Sequence, residues 1–288
     1  MSQSSSPSKF TGTADERKQI EAALPKRAAR AKQPRKLLVV TLNVRDGKVI
    51  EGHNSIGYAN LAMELMGTTT RAYETVFSND TAVFQPEKLK AFDAVCFNNT
   101  AGVLFDDAGL RQSLLDFVSG GKGFVGIHAA AATFVQWPRY DQWPAFGEML
   151  GAYENGGHPW KPDEVITVKL DDPAHPLNAA FGGKGFEISD QAFQFQAPYS
   201  RSTLRILQSV DTARTDMSPS RRFLPDRFAD KDFALAWVRR YGRGRVFYNS
   251  FGHNPHLFWD SRFLQHILAG IQFGLGDLEA DATPSGKR

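Results

Sequence analysis

Three of the chain's seven histidines each follow an apolar run that reads as a strand. His128 ends "GGKGFVGIH", where a Gly-rich turn leads into "FVGI" and the small-residue run "AAAATF" comes next. That corner is where hydrolases of the nucleophile-elbow type carry Ser or Cys. A histidine there cannot stand in for a thiolate, so glutaminase-type acyl transfer is not expected. No G-x-S-x-G occurs, which argues against a serine hydrolase. A helix beginning just after His128 would disfavour a proton on its ring. The neutral imidazole can then ligate a metal, accept a proton or donate one hydrogen bond to a developing oxyanion.

His253 closes "RVFYNSFGH" in the same way, and His53 stands in "GHNS" after the first strand. His256, three residues beyond His253, shares a site with it only if the loop curls back. His158 lies in "ENGGHPW", fixed by Gly156, Gly157 and Pro159, with Trp160 offering a flat face for a sugar ring or, equally, for a core. Trp137 and Trp143 precede it and can line a carbohydrate cleft or a second small core. His175, in "DDPAHPL", reads as loop support. "FEISDQAFQF" supplies Glu187, Asp190 and Gln191. Strand alternation sends Glu187 and Asp190 to opposite faces, so one of the two is expected to reach the histidines. Histidines plus one carboxylate suit a divalent zinc, manganese or iron ion. A helix N-terminus at His128 would repel a cation, so such an ion would lean on Asp190 or Glu187 for charge balance. There is no H-E-x-x-H and no paired Cys, so spacing alone does not define a metal site.

The elements that must position these groups emerge from periodicity. "KLLVVTLNV", "RAYETVFS", "FDAVCFNNT" and "FVGI" read as strands. "IGYANLAMELMG" and "DDAGLRQSLLDFVSGGKG" read as helices, the first ending at Gly67 and the second capped by Asp106 or Asp107. This alternation predicts an α/β fold with a doubly wound, mostly parallel sheet. Right-handed crossovers then place His53, Asn98, Asn99 and His128 along one edge, outside the carboxyl ends of the strands. Five further strand-like runs and a last amphipathic helix, "RFLQHILAGIQFGLG", make a strand-rich C-terminal half, read as an insertion in a single domain. The expected organisation is a polar, basic arm over 1–35, one α/β domain over 36–276 and a tail over 277–288.

Composition bounds the function. At 42% hydrophobic, 23% charged residues and a net charge of +3, nothing singles out nucleic acid or a membrane as partner. No apolar run reaches membrane-spanning length. The first residues lack the apolar core of a secretory signal, and the single cysteine, Cys96, allows no internal disulfide, so a cytoplasmic setting is expected. Without a P-loop, and with "GRGRVF" leading into a strand, no nucleotide cofactor is expected. Lys26, Arg27, Arg30, Lys32, Arg35 and Lys36 form a basic run with no acid among them, read as a solvated tail or clip. The basic arm and an exposed edge strand suit a homodimer.

"GHNSI", "GKGFVGIHAA", "LGAYENGGHPW", "DDPAHPL", "EISDQAFQF" and "AWVRRYGRGRVFYNSFGH", in that order, resemble the ThuA-like (trehalose-utilisation) family. The resemblance implies a flavodoxin-like, class I glutamine amidotransferase-like fold from which the catalytic Cys has gone, and a place in carbohydrate catabolism. The family usually carries Asp-Glu where this chain has Asp190-Gln191, one carboxylate fewer. It also implies chemistry on a small carbohydrate such as a 3-keto-glycoside, cleaved by elimination or hydrolysis. On that reading His128, His158, Asp190 and His253 are catalytic, with His128, Asp190 and His253 holding a metal. His53, Asn99, Trp160 and Gln191 bind substrate, and His158 or His53 moves protons. A non-catalytic sugar-binding or regulatory module, and a sugar isomerase or epimerase, are the alternatives that the same residues allow.

Overall fold

A computed structural model describes residues 5–137, 139, 141–154, 157–218 and 221–286. Gly156 therefore lies outside the described residues. The first half builds four parallel strands, β1 (Lys36–Val40), β2 (Glu74–Phe77), β3 (Ala94–Asn98) and β4 (Gly123–Ile127). β3 and β4 are buried along their whole length, as continuous apolar runs covered on both faces must be. Alternate residues feed two cores. Leu37 and Val39 pack under the helices α2 (Ile56–Thr70) and α5 (Ser261–Leu275). Leu38 and Val40 belong to the opposite core, with α3 (Ala108–Ser119) and α4 (Pro144–Leu150). α2 runs three residues past the expected stop at Gly67. That glycine serves close packing instead: a Cβ there would lie 2.6 Å from the Tyr73 carbonyl oxygen.

The strand-rich half is not an insertion. It extends the same sheet through β5 (Val165–Leu170), β6 (Phe186–Ser189), β7 (Arg205–Val210), β8 (Ala234–Tyr241) and β9 (Gly244–Asn249), in the order β6-β5-β7-β8-β9-β4-β3-β1-β2. The run "FEISDQAFQF" breaks after Ser189 rather than forming one strand. β8 and β9 form a hairpin whose two-residue turn holds Gly242 at φ 56°; a Cβ there would meet the Ser119 carbonyl oxygen at 2.6 Å. The reversal makes β9 parallel to β4, with Asn249 opposite Ile127. The chain therefore leaves β4 and β9 side by side, at the same edge as β1 and β3.

The N-terminal arm is packed rather than solvated. Thr13 and Glu16 form a reciprocal capping box on α1 (Ala14–Ala23), which buries Ile20 and Ala23. Phe10 packs edge-on against Tyr58. Part of the basic run finds its acids in the C-terminal tail. Arg35 makes a bidentate pair with Asp277, and Lys32 meets Glu279. Lys26, Arg27 and Arg30 lie towards the surface. Among the described residues no helix is long and apolar enough to cross a membrane.

One buried imidazole in this scaffold makes a clean reporter. His266 on α5 sits between Phe181 and Phe247, with Nδ1 2.7 Å from the Leu177 carbonyl oxygen. Burial lowers its pKa from 6.5 to about 4. The unfolded chain therefore binds more protons between those values. The stability that this group contributes is complete above pH 6.5 and is lost as pH falls towards 4. His266→Gln should flatten the slope of unfolding free energy between pH 6.5 and 4.5 by roughly 1 kcal/mol per pH unit, measured by urea titration. An unchanged slope would refute this assignment.

Candidate functional site

β4 ends at Ile127, and His128 then adopts φ 47°, the left-handed conformation of an elbow. The chain continues not into a long helix but into a single 3-10 turn, His128–Ala132, whose five residues are all buried. So short a turn has little dipole; burial, not a helix terminus, keeps the ring uncharged. Its Nδ1 lies 2.7 Å from the Ser250 carbonyl oxygen, and Tyr248 Oη donates to the His128 carbonyl at 2.7 Å. The ring stacks on Phe193 at 4.4 Å. A carbonyl only accepts, so Nδ1 carries the hydrogen and Nε2 presents its lone pair. That Nε2 is buried without a hydrogen-bond partner.

His53, just before α2, and His253, in the loop after β9, complete a trio. Ring centroids are 4.9 Å apart for His53–His128, 4.8 Å for His53–His253 and 5.3 Å for His128–His253. One nitrogen from each lies within 4.8 Å of the other two, and Nδ1 of both His53 and His253 is buried without a partner. Burial lowers all three pKa values, that of His53 to about 4, and neighbouring imidazoles lower those of His53 and His128 further. All three rings are neutral at pH 7, the form that binds metals. His53, His128 and His253 would each supply one nitrogen to a single divalent ion. Three imidazoles with no carboxylate suit zinc or iron better than manganese, which favours oxygen.

Asp190 is not in the trio, contrary to the sequence expectation of a carboxylate ligand. It is fully buried just past β6, and its two oxygens are taken by backbone. Oδ2 accepts from the N–H of Gly252 at 2.7 Å and of His253 at 3.2 Å; Oδ1 accepts from Asn254 at 2.8 Å. Burial pushes its pKa up to about 7, while those donors pull it down. Its work is to hold the loop carrying His253. Glu187 points the other way, exposed and 3.8 Å from Arg214.

Asn99 also lies beneath the site rather than in it. It is wholly buried in a file of amides. Asn60 Nδ2 donates to the Ser8 carbonyl at 2.8 Å, Asn98 Nδ2 to Asn60 Oδ1 at 2.9 Å, and Asn99 Nδ2 to Asn98 Oδ1 at 3.1 Å. Asn99 Nδ2 also reaches the Gly252 carbonyl at 3.4 Å, which Ser55 Oγ meets at 2.7 Å. Trp160 offers no face to a sugar. It is 1% exposed, packs edge-on against Phe233 and Phe223, and donates Nε1 to the Asp216 carbonyl at 3.0 Å. Trp143 packs on Phe134 and Phe146. His256 is exposed outside the trio, and His175 caps a 3-10 turn.

An open cleft of about 430 Å³ reaches the trio at His53, the one trio member in its lining, and is lined also by His158, Gln191, Phe193 and Trp137. His158 is 39% exposed, yet its pKa is lowered to about 4 by burial and by His253. Its Nδ1 lies 3.8 Å from Oε1 of Glu154, a buried cleft residue that the sequence reading missed. The available signal was a carboxylate four residues before a histidine, across a Gly-Gly turn.

Asp190→Asn should cost about 2–4 kcal/mol, because one N–H of the loop then faces an amide donor inside the protein. Hydrogen exchange should accelerate at Gly252, His253 and Asn254. Glu187→Gln should change neither quantity. Unaltered exchange in Asp190→Asn would remove Asp190 from this positioning role.

The fold and its elbow can be set beside known proteins. A ThuA-like protein from Bacteroides uniformis superposes with a TM-score of 0.64 at 21% identity, over 86% of this chain and 94% of its own. One from Parabacteroides merdae gives 0.54 at 14% identity, over 85% and 91%. A β-galactosidase from Bacillus circulans gives 0.51 at 12% identity, over 87% of this chain but 32% of its own. Likeness at such identities speaks for the fold alone. No curated protein matches the sequence. The ThuA family profile, described as trehalose utilisation, matches residues 39–274, most of the chain. The chain belongs to the ThuA family, with carbohydrate utilisation as its broad role.

Proposed function

We propose that this protein cleaves a modified glycoside, such as a 3-keto-glycoside, with a divalent metal held by His53, His128 and His253. The observation that carries the reading is the trio itself: three neutral imidazoles, each with one nitrogen within 4.8 Å of the other two and each with a buried nitrogen that lacks a hydrogen-bond partner. Buried polar atoms without partners are costly, and a shared ion would satisfy all three. When bound, the metal supplies Lewis acidity to a substrate carbonyl.

The other residues supply position and proton transfer. A ketone at C3 acidifies the proton on C2. His158, neutral at pH 7 and open to the cleft, accepts that proton, and the Glu154 carboxylate 3.8 Å away favours the imidazolium that forms. The C2–H electron pair moves onto the ketone oxygen as an enediolate. Its return expels the group on C1, and the proton on His158 passes to the departing oxygen. The products are the 1,2-unsaturated 3-keto sugar and a free alcohol, so the proton and the electron pair both balance. Water added later across that double bond makes the net result hydrolysis. Gln191 lines the same cleft and can hydrogen-bond sugar hydroxyls.

A specific observation favours a rival, the non-catalytic sugar-binding module. Gln191 stands where the family usually carries a carboxylate, so proton transfer falls on His158 alone. An isomerase would use the same C2 proton without losing the C1 group.

Metal analysis of the purified protein should find about one zinc or iron per chain. Alanine at His53, His128 or His253 should weaken zinc binding at least a hundredfold. His158→Ala should keep the metal and lower kcat on a 3-keto-glycoside by a factor of about 10²–10⁴. A protein that takes up no metal, with turnover unchanged in His128→Ala, would end the proposal. Metal uptake and sugar binding without turnover would favour the binding module.

A further inference from the structure

We infer that the group leaving C1 is an apolar, planar aglycone of the phenol type, seated in the cleft against Ile50, Trp137, Ala129 and Ala132. This inference rests on the glycoside reading above. A cleft of about 430 Å³ has room for a second group beside one sugar ring. By contact, the lining falls into two groups. His158 lies 3.8 Å from Glu154 and packs against Phe193, and with His53 and Gln191 this group supplies polar partners for hydroxyls.

The second group is joined through backbone: the Ile50 N–H donates to the Asn43 carbonyl, Asn43 bridges to Ala101, and the Gly102 N–H donates to the Ala132 carbonyl. Ala129 and Ala132, on the 3-10 turn after His128, contribute methyl groups to the cleft lining, and Ala101 adjoins them. Ile50 is 42% exposed at the end of the hairpin Val44–Arg45/Lys48–Val49, and it lines the same cleft as Trp137. Scattered exposed apolar residues are ordinary, but here Ile50 borders a cavity with an apolar wall, where a ligand can cover it. A second sugar would present hydroxyls on every side. The polar side chains that line the cleft beside this second group are Asn43, Arg45 and Glu51, and Asn43 Nδ2 is already spent on the Thr41 and Asn99 carbonyls. Arg45 lies 5.8 Å from the centre of the Trp137 ring.

The test is equilibrium binding to the full chain loaded with zinc, using phenyl glucosides, methyl glucosides and trehalose, both anomers of each glucoside. The phenyl compound of the preferred anomer should bind at least tenfold tighter than its methyl counterpart and tighter than trehalose. Ile50→Ser should remove at least threefold of that preference and leave methyl glucoside binding unchanged. Ile50 is partly exposed, so this variant is expected to fold, and its melting temperature checks that. Trp137→Ala should act in the same direction. Equal binding of phenyl and methyl compounds, trehalose binding as tightly as the phenyl glucoside, or a preference untouched by Ile50→Ser would each overturn the inference. Tight phenyl glucoside binding without turnover of any keto-glycoside would sink the cleavage reading, and with it the aryl group as leaving group, while keeping that group's place in the cleft.

Discussion

One buried carboxylate sets the position of the last histidine. Asp190 accepts N–H groups from three consecutive residues, and the imidazole of His253 is carried by the middle one. A carboxylate is too costly to bury unless donors surround it, and a loop after a strand is too mobile to aim a side chain unless something holds it. Each solves the other's difficulty. The antiparallel half of the sheet exists, in this sense, to deliver Asp190. β6 ends at Ser189, so Asp190 begins the chain that leaves the sheet, at the level where β9 releases Gly252.

The elbow at His128 obeys the same logic with different groups. Left-handed backbone at a non-glycine residue needs support from its surroundings. Tyr248 and Ser250, both from β9 or its end, clamp the His128 carbonyl and ring. The side chains before and after the corner are small. A Cβ on Gly126 would lie 2.9 Å from the Tyr248 ring, and the alanines after His128 let the turn pack flat. A fold that elsewhere presents a nucleophile at this corner here presents a lone pair.

Much of this could be read in the sequence, and the remainder was hidden for a physical reason. Strand-end histidines were legible because parallel strands carry their loops to one edge; His53, His128 and His253 are found by that rule alone. The four early strands and the helices beginning at Ile56 and Ala108 emerge from periodicity. The roles of Asp190, Asn99 and Trp160 did not. A carboxylate, an amide and an indole each have a local signature, but whether they face a cleft or a backbone depends on partners 56 to 153 residues away. Glu154 was hidden for a different reason, since its burial in the cleft depends on the fold while its partner His158 is only four residues on. The acids that meet Lys32 and Arg35 sit more than 240 residues downstream, so the basic run looked unpaired.

The sheet order also fixes when the histidine cluster can exist. His53 and His128 belong to parallel strands that can pair once the first half of the chain is made. His253 arrives only after β9 has slotted in beside β4, with α5 still to be laid over the sheet. A growing chain therefore holds two of the three imidazoles while residues 129–252 are added, and the third comes with the closing of the domain. The cluster is complete only in a chain whose sheet has received its ninth strand.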